Sequence, residues 1–119
     1  MKFVYLAAVL TSLVLFSAGS VQADPVGGPK FDSDLLRPGQ TVEYGMALRG
    51  EELTLFRVDG DGDGDIDCAL FDEDGNAITN DVSGTDGCIM SVTPAWTGRF
   101  TVRLVNTGSE ASKYTFRAL

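Results

Sequence analysis

Thr41-Val42-Glu43-Tyr44-Gly45-Met46-Ala47-Leu48 sets Val42, Tyr44, Met46 and Leu48 against Thr41, Glu43, Gly45 and Ala47. Side chains on an extended chain point to opposite faces in turn, so a period of two predicts a strand with one buried face. The same pattern recurs downstream. Leu53–Val58 reads as a second strand, and Ile66, Cys68 and Leu70 share one face of a third. Ala77–Thr79 is a short fourth, Cys88, Met90 and Val92 define a fifth, and Phe100, Val102 and Leu104 a sixth. Tyr114, Phe116 and Ala118 make the last. Turn signals separate them at Gly50-Glu51, Glu73-Asp74-Gly75-Asn76, Pro94–Gly98 and Asn106–Ser109, with longer polar stretches at Asp59–Asp65 and Asn80–Gly87. No segment here carries a helical apolar stripe. Short strands with turns every 8–12 residues or so predict an all-β fold: a single β-sandwich of about seven to eight short antiparallel strands over residues 39–119.

Working back toward the N-terminus, residues 24–38 hold Pro25, Gly27, Gly28, Pro29 and Pro38 and little apolar periodicity. They read as an extended lead-in, with Phe31, Leu35 and Leu36 available to tuck onto the domain. Before them, Lys2 precedes an apolar run from Phe3 to Phe16, small residues Ser17–Ser20, and the triplet Val21-Gln22-Ala23. That order is a secretory signal peptide, residues 1–23, cut after Ala23. The run of about 14 apolar residues falls short of the roughly 20 that span a bilayer. The expected location is secreted or periplasmic.

The chain of 119 residues has a formal net charge of −8, one unit more negative once Lys2 leaves with the leader. Such charge repels phosphate backbones and anionic lipid, which excludes nucleic acid and disfavours membrane surfaces. Cys68 and Cys88 are its two cysteines. In an oxidising compartment they are expected to form one disulfide, closing a loop of about 21 residues worth roughly 3 kcal/mol. Both fall on inward strand positions, which fits a bridge either between neighbouring strands or between sheets. With no histidine in the chain, a Ser–His–Asp or Cys–His device is absent, and no apolar pocket for a raised-pKa acid is legible. The expectation is a protein that is not an enzyme.

The stretch Asp59-Gly60-Asp61-Gly62-Asp63-Gly64-Asp65-Ile66-Asp67 places a carboxylate at every second position. Crowded carboxylates repel unless a cation or free solvent relieves them. Calcium takes several oxygens in irregular geometry, and glycines let the backbone curl through positive φ so that carboxylates converge. Asp59, Asp61, Asp63, Gly64 and Ile66 match the opening of a helix–loop–helix calcium loop. The position for its closing Glu is Leu70, and the flanks read as strands, so the loop is not an EF-hand. Calcium held by Asp59, Asp61, Asp63, Asp65, Asp67 and Asp72 is the metal expectation. The alternative is a solvated acidic turn. Trp96, the one tryptophan, sits in a turn, where it caps the sandwich or contacts a sugar or protein ligand.

Taken together, Gly60–Gly64, Asp65-Ile66-Asp67, Leu70-Phe71-Asp72, Gly75-Asn76, Pro94, Gly98, Phe100, Val102, Val105-Asn106, Gly108 and Tyr114-Thr115-Phe116 resemble the bacterial pre-peptidase C-terminal domain. The resemblance runs from about Val42 to Phe116. It implies a jelly-roll-type sandwich of the kind appended to secreted proteases and other hydrolases, some of which bind calcium or assist substrate binding or secretion. Asp65 and Asp67 match that family's Asp-x-Asp. Cys68 and Cys88, and a chain with no catalytic domain attached, depart from it. The expected function is a secreted, non-catalytic, calcium-stabilised binding module that recognises a protein or glycan at the cell envelope. The alternative is a structural or accessory subunit of a larger secreted complex.

Overall fold

The computed structural model describes residues 25–62 and 64–119 together with the backbone of residues 2 and 3. The apolar run and cleavage point of the leader, and Asp63, lie outside the described residues. Eight strands make the sandwich: β1 (Lys30–Leu36), β2 (Thr41–Leu48), β3 (Thr54–Gly60), β4 (Ile66–Phe71), β5 (Ala77–Asp81), β6 (Cys88–Val92), β7 (Gly98–Asn106) and β8 (Ser112–Ala118). One sheet has the order β2-β7-β4-β5 and the other β1-β8-β3-β6. Pairs among these eight strands are antiparallel. This two-sheet order is that of a jelly roll. A two-residue strand, Lys2–Phe3, lies parallel to β2 at Tyr44 and Gly45.

Between the sheets lie the residues that the alternation marked. Tyr44, Met46 and Leu48 of β2 meet Phe56 and Val58 of β3 and Phe116 of β8, all buried. The Tyr44 and Phe116 rings stack with centroids 4.2 Å apart, joining the sheets at their middle. Cys68 on β4 and Cys88 on β6 form the disulfide, with Cα atoms 6.3 Å apart. Because β4 and β6 belong to different sheets, the bridge staples the two layers.

The segment read as a lead-in contains an edge strand. β1 pairs with β8 from Ser112↔Leu36 to Ala118↔Lys30. Its inward positions carry Lys30, Asp32 and Leu36, while Phe31 stands 61% exposed. Charge on the inner face hides the strand from a hydrophobic-periodicity reading. It also guards the edge against pairing with another chain. Tyr44 Oη donates to Asp32 Oδ2 at 2.8 Å and shares a hydrogen bond with Tyr114 Oη. Burial, then the bonds to Tyr114 and Asp32, push the Tyr44 hydroxyl far above the usual phenol range.

At the end where β1 runs into β2 and β7 into β8, Asn106 is fully buried. Its Nδ2 donates to the carbonyls of Leu36 (2.9 Å) and Glu110 (2.8 Å), and its Oδ1 accepts from the Gly108 N–H at 2.9 Å. One amide thus satisfies three backbone groups in two loops, which is what a buried polar side chain needs to be tolerated.

Candidate functional sites on the loops and outer faces

The aspartate stretch spans the end of β3, the connection across to the other sheet, and the start of β4. Successive carboxylates take different anchors. Asp59 faces outward, accepting from Arg57 Nε at 3.0 Å and lying 3.6 Å from Arg117 Nη2. Asp61 accepts from the Lys113 N–H at 3.1 Å and from Ser112 Oγ at 3.4 Å, which ties the loop to β8. The Gly62 N–H donates to the Asp86 carboxylate. Gly62 has φ +97°, a backbone state that suits glycine. Asp65 fixes the β7–β8 loop through its carbonyl, which accepts from the Thr107 N–H at 2.8 Å. Its Oδ1 is buried without a hydrogen-bond partner.

Asp65 and Asp67 do lie close enough to repel. The Asp67 carboxyl is raised above the usual range, first by partial burial and then by the charges of Asp65 and Asp81. Asp81 goes the other way. The Ile89 N–H at 2.9 Å, with Ser83 in support, holds it below that range. Asp72 caps its own turn, accepting from the N–H groups of Asn76 and Asp74, both at 2.9 Å. The Asn76 backbone bond leads in lowering its pKa. It sits at the far end of β4 from Asp65, so six strand residues separate it from the loop by about 20 Å.

Among the described residues, no three of the acidic or cysteine side chains gather as a metal site would require. As arranged, the carboxylates stitch a loop to both sheets rather than form a ready calcium cage. Asp81 and Asp86 do as much of this stitching as the regular Asp/Gly run. Their sequence signal was weaker, an Asn80-Asp81-x-Ser83 turn and an Asp86-Gly87 step inside a polar loop.

The outer face of the β1-β8-β3-β6 sheet carries a cross-strand row that no sequence pattern announced. Phe31, Arg117, Arg57 and Ile89 are opposite one another on four successive strands. The two arginines share Asp59, and Phe31 and Ile89, each 61% exposed, flank them. The result is a patch with two anchored guanidiniums at its centre and apolar shoulders.

At the end of the sandwich away from the Asp/Gly run, Trp96 stands 48% exposed and packs on Phe100, with ring centroids 6.3 Å apart. Separately, the outer face of the β2-β7-β4-β5 sheet carries a shallow groove lined by Glu43, Phe71, Glu73, Arg99 and Arg103. Its floor is Phe71, with the Arg103 guanidinium 4.4 Å above the ring centroid.

A jelly roll with these loops and faces is a β-sandwich like the pre-peptidase C-terminal domain. No protein-family model matches the chain, and no curated protein matches it. The pre-peptidase C-terminal domain of a collagenase from Bacillus anthracis superposes with a TM-score of 0.60 at 12% identity. It covers 76% of this chain and 88% of that one. PliG from Aeromonas hydrophila, a periplasmic inhibitor of g-type lysozyme, superposes at 0.59 with 10% identity, covering 98% of this chain and 94% of that one. At such identities the likeness is one of fold. Among the described residues no helix is long and apolar enough to cross a membrane.

Proposed function

We propose that this chain is an exported, non-catalytic module, secreted or periplasmic, that binds a protein partner through the outer face of the β1-β8-β3-β6 sheet. The observation that carries the reading is the Phe31–Arg117–Arg57–Ile89 row. Arginine and aromatic anchors are the side chains that concentrate binding energy at protein interfaces. Asp59 pre-orders both guanidiniums, which lowers the entropy lost on docking. Four strands contribute to this face, a breadth that suits a protein partner. PliG supports the reading as a periplasmic protein of this fold whose partner is an enzyme.

The test is capture by the immobilised chain lacking residues 1–23, using exported proteins of the producing cell and a purified g-type lysozyme as probes. The expected result is saturable retention of a defined protein. Retention should weaken about tenfold or more in Arg57→Ala/Arg117→Ala and in Phe31→Ser. Retention that ignores these changes, or no retained protein at all, overturns the reading.

Calcium enters this proposal through charge density alone. Asp61, Asp65 and Asp67 would hold the ion, with Asp65 Oδ1 as the acceptor still lacking a partner. Gathering them requires the loop to move. A melting temperature higher in millimolar calcium than in EDTA supports this part. Superimposable melting curves remove it and leave the protein-binding reading intact.

A further inference from the structure

The eight strands of the sandwich leave four edges, and three of them are guarded. β1 turns Lys30 and Asp32 inward, and charge of that kind discourages pairing with another chain. β5 and β6 are only five residues each and pack against one another. The Ile89 N–H of β6 is taken by Asp81 Oδ2 of β5 at 2.9 Å, and the disulfide tethers β6 to β4. β2 is different. At eight residues it is the longest of the four edge strands, and it holds no proline, lysine or arginine. Its register with β7 runs unbroken from Thr41↔Val105 to Leu48↔Gly98, so no bulge turns it aside. Its one charge, Glu43, is held by Arg103 Nε at 3.0 Å.

Two other segments of the chain meet this edge. The Val26 N–H donates to the Ala47 carbonyl at 3.0 Å. Alternate residues of an antiparallel strand send their backbone groups to the same side, so Glu43 and Gly45 turn theirs away from β7 as Ala47 does. There Lys2 and Phe3 lie parallel to β2, opposite Tyr44 and Gly45. The Val26 bond belongs to the domain, whereas the Lys2–Phe3 strand belongs to the leader. When the chain is cut after Ala23, that short ladder leaves with the leader. A window of main-chain donors and acceptors then opens at Glu43 and Gly45, bounded at one end by Val26.

We infer that the β2 edge is a strand-addition site whose occupant in the exported protein is an extended, basic and apolar segment of another polypeptide, paired parallel to β2. The inference rests on removal of residues 1–23. Parallel pairing is the geometry that the chain's own residues adopt there. The composition follows from charge. Asp32 and Asp34 lie on β1, the neighbouring edge, and Tyr44 Oη of β2 donates to Asp32 Oδ2 at 2.8 Å. Glu43 adds a carboxylate on the outer face. Lysine or arginine in the added strand is therefore favoured, and glutamate is repelled. The same charge disfavours a second copy, because β2 against β2 would join two acidic edges of two strongly acidic chains. In strand addition the main chain supplies affinity and the side chains choose the partner. The site shares no residue with the Phe31–Arg117–Arg57–Ile89 row, so either assignment can fail without the other.

All eight strands and both cysteines lie within residues 30–118, so the chain without its leader keeps the whole sandwich. The probe is a fluorescently labelled peptide with the sequence of residues 1–8, titrated by anisotropy into residues 24–119 and into the full chain. Saturable binding to the shorter chain is expected, about tenfold or more tighter than to the full chain, whose own residues occupy the edge. In the peptide, Lys2→Glu should weaken binding about fivefold. Val4→Pro should weaken it about tenfold or more by removing a donor. In the protein, Gly45→Pro should abolish binding, with circular dichroism as the check on folding. Hydrogen exchange of the unaltered shorter chain gives the same answer without a variant: the peptide should slow exchange in 41–48. Flat titrations, equal binding to both chains, binding that survives Gly45→Pro in a folded protein, or protection only outside 41–48 overturn the inference. So does a concentration-dependent dimer of residues 24–119 that excludes the peptide. Mass spectrometry of the exported protein tests the leader separately. A chain that retains Lys2 and Phe3 overturns the cleavage on which the open edge depends, whatever the peptide does.

Discussion

Asp67 and Asp72 show how much a carboxylate's role depends on its immediate neighbours. Asp67 is raised by partial burial and by Asp65 and Asp81, so its charged form is less at ease folded than unfolded. The penalty is absent in acid, grows as pH climbs from the unfolded value near 4 through the raised folded value, and is complete at neutral pH. Asp67→Asn should therefore raise the melting temperature at pH 7 by about 1–3 °C. The gain should vanish at pH 3, as calorimetry at the two pH values would record. Asp72 and Asp81 are lowered by the N–H groups they accept, and their contribution runs the opposite way. It is present above about pH 4 and lost as pH falls through the folded values. Asp72→Asn should therefore cost stability at pH 7, by an amount that shrinks as pH falls below about 4. Asn106 is a harder dependency. Asn106→Ala leaves the Leu36 and Glu110 carbonyls and the Gly108 N–H without their partner, at a cost of about 2–4 kcal/mol in urea unfolding.

At the scale of elements, the disulfide is the strongest single tie. It joins β4 to β6 and so one sheet to the other. Cys68→Ala/Cys88→Ala should cost roughly 3 kcal/mol. For a domain of this size that lowers the melting temperature by about 10–20 °C, measurable by calorimetry. The strands read most directly in advance are those whose inner faces are wholly apolar: Val42 to Leu48, Ile66 to Leu70, Phe100 to Leu104, and Tyr114 to Ala118; those over Leu53–Val58, Ala77–Thr79 and Cys88–Val92 were legible from shorter patterns between turn signals. β1 escaped because Lys30 and Asp32 occupy inward positions where periodicity looks for apolar residues. The partner sheet of each cysteine was equally hidden. Alternation gives a side chain's face, whereas sheet membership depends on crossovers that local pattern does not encode.

For the molecule as a whole, the candidate sites follow from which residues the jelly roll brings together. The Asp/Gly run was conspicuous in sequence, yet the fold spends its carboxylates on different anchors and carries Asp72 to the opposite end of β4. Phe31, Arg57, Ile89 and Arg117 are scattered over 87 positions of sequence and become neighbours through strand pairing alone. Glu73 and Trp96 meet over Gly98 through two turns rather than through strand pairing. The central claim is that the β1-β8-β3-β6 face is where a protein docks. Hydrogen exchange of the chain lacking residues 1–23, alone and with the protein it captures, tests it most directly. The account predicts slowed exchange in peptides spanning 30–36, 54–60, 88–92 and 112–118, with 98–106 unchanged. Protection confined to the loops at 61–65 and 82–87, or to 98–106, would contradict it.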